Sequence, residues 1–260
     1  MMKMRRSLLL AILFGLWLTG AAGLAAEQKV LFQTSTLQAL MNGVYDGDCS
    51  FGELQRHGDF GLGTFDALDG EMVAVDGKFY QVKTDGKVYP VNPAQNTPFG
   101  EVTFFQADQT LALSDSLDYQ QLEKFILKQL PTQNLPYAIK ITGAFASIKT
   151  RSVPRQTKPY PPLMEAAKHQ TVFEFREVDG VIVGFYHPKY LAGVNVAGFH
   201  CHFLTGDRQA GGHLLDCRLK RAKLELGRLA DVHLRLPGTA AFYQTDLSGD
   251  KQQEIDKVEK

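Results

Sequence analysis

Cysteine is scarce in this chain: Cys49, Cys201 and Cys217 are the whole complement among 260 residues. So small and odd a number excludes a disulfide framework even in an oxidising compartment; one bridge is possible and none is required. Net charge is lacking too, since 28 Lys and Arg balance 28 Asp and Glu. Neutrality argues against nucleic acid or an anionic membrane surface as a main partner, because either favours a basic excess. A small-molecule substrate fits better. There is no internal repeat or low-complexity segment. The one close-set glycine run, Gly58-Asp59-Phe60-Gly61-Leu62-Gly63, lacks the G-x-G-x-x-G spacing of a phosphate loop. Otherwise the composition, 44% hydrophobic and 22% charged, is that of a globular chain able to bury a core as one or two domains.

Residues 1–26 stand apart. Lys3, Arg5 and Arg6 precede an apolar run over residues 8–18, and small residues follow up to Ala25-Ala26. This is the plan of a secretory signal peptide, and the run is shorter than the about 20 residues a membrane-spanning helix needs. Export to a periplasm or the medium is expected, with no membrane association once the signal is removed. The mature chain should start near Ala26 or Glu27, and no cysteine near the cleavage region marks a lipoprotein.

Chemistry concentrates in residues 198–213, which hold three of the seven histidines. Val194, Val196, Phe199, Phe203 and Leu204 make a β-branched and aromatic run of strand character. Side chains on a strand alternate, so His200 and His202 share one face while Cys201 turns to the other. The polar and glycine residues 205–212 let the chain return and bring His213 to the same point. Three imidazoles with a fourth position left open is the catalytic zinc arrangement. A cupin would place an acid three or four residues after His202, where Thr205 and Gly206 stand. A metallo-β-lactamase-like hydrolase would continue the pair with Asp-His, which is missing.

Turn and capping signals organise the rest. Thr34 or Ser35 is expected to cap a short helix through Leu37, Leu40 and Met41. Residues 58–63 read as a glycine-rich turn, and Asp76-Gly77 joins two strands across residues 71–82 as a hairpin. Residues 90–100 read as a proline-rich loop. A helix over 119–130 carries Leu122, Phe125, Ile126 and Leu130 on one face, with Asp118 and Gln121 as a capping box and Pro131 as its stop. Residues 137–150 form a long strand with Arg151 at its end. Asp179-Gly180 suggests another hairpin, residues 214–226 and 232–236 alternate as strands, and residues 254–259 form a last helical turn.

Three separated segments together resemble one known family. The run from His200 to Asp216, read with Gly58-Asp59-Phe60-Gly61-Leu62-Gly63-Thr64-Phe65-Asp66-Ala67-Leu68-Asp69-Gly70-Glu71 and with Thr150-Arg151-Ser152-Val153-Pro154-Arg155-Gln156, is similar to the α-acetolactate decarboxylases. The resemblance covers nearly everything after the leader. It implies a homodimeric zinc enzyme (Zn2+ on His200, His202 and His213) that converts 2-acetolactate, a 2-hydroxy-3-keto acid, to acetoin and carbon dioxide through an enediolate.

The same resemblance implies roles for residues that would be bland by themselves. Arg151 grips the substrate carboxylate or the enediolate, a task that suits the fixed fork of a guanidinium; Arg155 is the alternative. Glu71 is an active-site acid, and Thr64 hydrogen-bonds the substrate. At the C-terminus Glu254 and Glu259 compete as proton donor, and the ending Ile255-Asp256-Lys257-Val258-Glu259 favours Glu259. His57, His169, His187 and His233 show no ligand spacing.

The expected architecture is α+β: two lobes of mixed or antiparallel sheet with a few helices, residues 27–150 and 151–260, and the metal site between them. Two other functions fit the residues alone, a secreted zinc hydrolase and a non-catalytic metal-binding β module.

Overall fold

The computed structural model describes residues 29–114 and 116–259; the leader expected over residues 1–26 lies outside the described residues. The first part of the chain runs β1 (Val30–Thr34), α1 (Leu37–Met41), β2 (Cys49–Ser50), α2 (Phe51–Gln55), β3 (Phe60–Thr64), β4 (Glu71–Val75), β5 (Lys78–Val82), β6 (Val88–Pro90), β7 (Asn96–Thr97), β8 (Gly100–Thr103) and β9 (Gln109–Leu113). It continues through α3 (Tyr119–Gln129), β10 (Tyr137–Ser152), α4 (Leu163–Ala166), β11 (Thr171–His187), β12 (Gly198–Thr205), β13 (Gly211–Arg228), β14 (Asp231–Arg235), α5 (Ala240–Gln244) and α6 (Gln252–Glu259). The class is α+β, dominated by sheet.

Two sheets carry the structure. One is seven-stranded, in the order β14-β1-β8-β3-β4-β5-β6, and only its β1–β14 pairing is parallel. The other joins β10, β11, β12, β13 and β9 and closes on itself, because β10 also pairs with β13. Apolar side chains from both meet in one layer, where Phe60, Leu62, Val73 and Val75 pack on Val181, Val183, Phe185 and Leu204. On the far side of the closed sheet, Leu122 and Ile126 of α3 cover Ile139, Ile141, Phe203 and Leu219. Each such fully buried side chain contributes about 1.5–3 kcal/mol relative to exposure, which makes these layers the rigid base of the site.

Local chemistry explains most of the elements. Asp118 accepts from Gln121 N at 2.8 Å while the Gln121 side chain accepts from Asp118 N at 3.0 Å, the expected capping box. The β4–β5 hairpin turns at Asp76-Gly77. The cap of α1, however, is Thr36 rather than Thr34 or Ser35, since β1 stays paired through Thr34 with Gly100 and Arg235.

Three further expectations are corrected. The run 58–63 is not a turn but leads into β3, sandwiched between β4 and β8; a Cβ at Gly61 would collide with the Glu101 carbonyl oxygen, so glycine serves close strand approach there. Asp179-Gly180 is not a hairpin but the middle of β11, because β10 offers Ala144 and Gly143 as partners straight through it and the Phe203 ring occupies the space a side chain at 180 would need. The lobe boundary expected at 150/151 falls inside β10, and β14 returns from the chain's end to pair with β1. Each sheet therefore draws strands from both halves of the sequence. Gly61→Ala is expected to lower unfolding stability by about 1–3 kcal/mol, the usual effect of overpacking, measured by urea denaturation.

Candidate metal centre and active site

Strand register assembles the histidines. His202 of β12 stands directly opposite His213 of β13, and His200 lies two residues along the same face of β12. One nitrogen from each of the three rings lies within 4.8 Å of the others, and all three residues are buried. His202 Nδ1 donates to the Met72 carbonyl at 2.8 Å, which leaves its Nε2 bare and 3.3 Å from His213 Nδ1. His213 Nε2 has no hydrogen-bond partner. Burial, helped by neighbouring cationic groups, holds His202 and His213 well below the ordinary imidazole pKa, so both are neutral. His200 moves the other way: burial opposes its protonation, but the carboxylates of Glu101 and Glu259 outweigh it.

Such a cluster fits a metal ion. Buried polar atoms are normally satisfied, and neutral ring nitrogens crowded onto one point have mutual lone pairs but few donors. A divalent cation relieves that conflict, and neutral imidazole is the form that ligates it. Cys201 takes no part, packing instead in the core around α3. All three cysteines are free and buried.

The remaining candidates arrive from four other elements. Arg151, at the end of β10, stands opposite His213 in register and is 3% exposed. Its Nη1 donates to Gln170 Oε1 at 3.2 Å, and its Nη2 lies 3.5 Å from Glu259 Oε1. Glu259, the last residue of α6, points its other oxygen at His200 Nε2 (3.5 Å) and His213 Nδ1 (3.7 Å). Glu71 opens β4 opposite Thr64 of β3, with Oε2 3.8 Å from His202 Nε2 and Oε1 accepting from Val153 N at 3.4 Å. Burial pushes its carboxyl up to about 7, against the pull of Arg151. Thr64 Oγ1 donates to the Gly70 carbonyl at 2.8 Å. Leu37, Leu40, Phe99 and Leu163 wall the same pocket, giving a site with one polar floor and one apolar side.

The structure thus brings together His200, His202, His213, Glu71, Arg151, Glu259 and Thr64. It does not bring in Arg155, which is exposed and 3.8 Å from Asp69, or Glu254, which pairs with Lys251 at 2.9 Å. Sequence reasoning missed Gln170, the partner of Arg151, and Glu101, which lies against His200 and His187. Neither carries a spacing signal: each is a lone polar residue whose neighbours come from distant strands. His187, dismissed for lack of spacing, is fully buried.

The sequence model of the alpha-acetolactate decarboxylase family matches residues 31–249. The chain belongs to that family. It is 48% identical over 231 residues to the alpha-acetolactate decarboxylase of Methanosarcina mazei, covering 89% of this chain and 80% of the relative. The Methylococcus capsulatus enzyme is 46% identical over 236 residues, with 91% of each covered. In three dimensions the chain is similar to the alpha-acetolactate decarboxylase of Bacillus subtilis strain 168, with a TM-score of 0.87 at 41% identity over 88% of this chain and 99% of that one. This member of the family is therefore an enzyme, an acetolactate decarboxylase acting on a small molecule by carbon–carbon lysis.

Glu259 reaches the site only because Ile255 and Val258 seat α6 among Leu37, Leu40, Leu163 and Ala166. Ile255→Ala removes that anchor, a change worth about 2–5 kcal/mol in a packed core. Limited proteolysis should then cut near α6 before the sheets unfold, and turnover should fall with it.

Proposed function

We propose that the decarboxylation is zinc-dependent and runs in the pocket formed by His200, His202, His213, Glu71, Arg151, Glu259 and Thr64. The convergence of three buried imidazoles beside a buried Arg–Glu pair carries this reading. Zinc would be held by His200, His202 and His213 and would supply Lewis acidity toward the oxygens of 2-acetolactate.

The protein's own groups do the rest. Arg151 binds the substrate carboxylate through charge-assisted hydrogen bonds and fixes the scissile carbon–carbon bond against the neighbouring ketone. As carbon dioxide leaves, the bond's electron pair passes into the ketone and an enediolate forms. Its charge develops in a pocket from which water is largely excluded, where fixed charges act strongly. Glu71, with a carboxyl near 7, takes up and returns the proton of the substrate hydroxyl. Glu259 delivers a proton to the carbon that lost carbon dioxide, completing acetoin, and Thr64 holds a substrate oxygen. The apolar wall receives the two methyl groups.

The working unit is a homodimer, as the family resemblance implies, which sedimentation measures. Residues 1–26 direct export, and amino-terminal sequencing of the exported protein should begin near Ala26 or Glu27.

Chelation should abolish acetoin and carbon dioxide release from racemic 2-acetolactate, and added zinc should restore it. His200→Ala should lose metal and activity together, whereas Glu71→Gln keeps metal and loses turnover. Full activity in Glu71→Gln would remove Glu71 from the mechanism. Arg151→Lys should lower kcat/KM by about 10²–10³-fold, comparable to loss of one preorganised donor.

A further inference from the structure

The carboxylate of Glu101 has no role in the steps above, yet it is completely buried against one of the metal-facing rings. At this register β8 lies between Gln33 of β1 and Leu62 of β3, so backbone pairing on both sides sets where the side chain starts. Glu101 Oε2 lies 3.0 Å from His187 Nε2 and accepts from Asn195 Nδ2 at 3.0 Å. Asn195 is itself held, donating to Gln33 Oε1 at 2.8 Å and accepting from Val196 N at 2.7 Å. Glu101 Oε1 faces His200 Nδ1 at 3.5 Å, and among the described residues neither atom has a hydrogen-bond partner.

The three rings differ in how they are oriented. The Met72 carbonyl locks His202 through Nδ1. Among the described residues no backbone carbonyl is hydrogen-bonded to His200 Nδ1, and the acceptor facing it is Glu101. An imidazole free to rotate presents either nitrogen, and the tautomer is set by the hydrogen bond the other nitrogen makes.

We propose that Glu101 is a positioning residue of the metal centre: it accepts from His200 Nδ1–H, turns Nε2 toward the ion and strengthens that nitrogen as a ligand. Asn195 and His187 hold the carboxylate in place for this. The inference rests on the zinc reading given above and adds to it a residue that touches neither substrate nor metal.

Zinc affinity of the full-length protein, measured by competition with a chromophoric chelator after stripping, tests it apart from activity. Glu101→Gln keeps the shape and removes the charge; it should retain its secondary structure and bind zinc about 10–100-fold more weakly, the usual effect of losing such an outer carboxylate. Affinity within twofold of wild type, with zinc lost from His200→Ala, would overturn the role of Glu101 and leave the zinc site standing. A wild-type protein that takes up no zinc would overturn both. A second measurement does not depend on the variant folding: ring-carbon chemical shifts of the zinc-loaded wild type should report His200 coordinating through Nε2. Coordination through Nδ1 would contradict the proposal outright.

Discussion

Keeping ionisable side chains out of water is the constraint on which the site depends. Removing one charge from solvent carries a penalty of several kcal/mol even after relaxation, and Glu71, Glu101, Arg151 and Glu259 are all nearly or fully buried beside three imidazoles. They are tolerated because each neighbours a group of complementary character. Arg151 sits between Gln170 and Glu259, and Glu101 lies between His187 and His200. Glu71 has Arg151 as its main favourable neighbour, and burial pushes its carboxyl up to about 7.

The fold meets this constraint by drawing each group from a different element. β4 supplies Glu71, β8 Glu101, β10 Arg151, β12 and β13 the histidines, and α6 Glu259. Paired strands hold their side chains in fixed relative positions, so the charged groups cannot relax away from one another or collapse together. The apolar layer between the sheets and the cluster under α1, α4 and α6 make the surroundings dry. Docking of the last helix therefore shapes the pocket as well as the core, since a frayed C-terminus would withdraw Glu259 and admit water.

Several features were legible because they are local. His200 and His202 share a face by strand alternation, Asp76-Gly77 turns a hairpin, and Asp118 with Gln121 caps α3. The misreadings share a cause. Gly61 and Gly180 punctuate the sequence like turns, yet both are strand residues where a neighbouring backbone or ring comes too close for a side chain. The 150/151 boundary failed because β10, β9 and β14 join sheets that the linear order of the chain does not separate.

Sequence by itself determined the alternation and turn chemistry that put His200, His202 and His213 on one looped-back segment, since these depend on residues a few positions apart. Resemblance in three motifs carried the family. The resemblance favoured Glu259 over Glu254 and Arg151 over Arg155, but only the tertiary structure showed which of them enter the pocket and that Glu101 stands behind His200. Those placements depend on strand register and on the docking of α6, both set by packing among residues far apart in the chain.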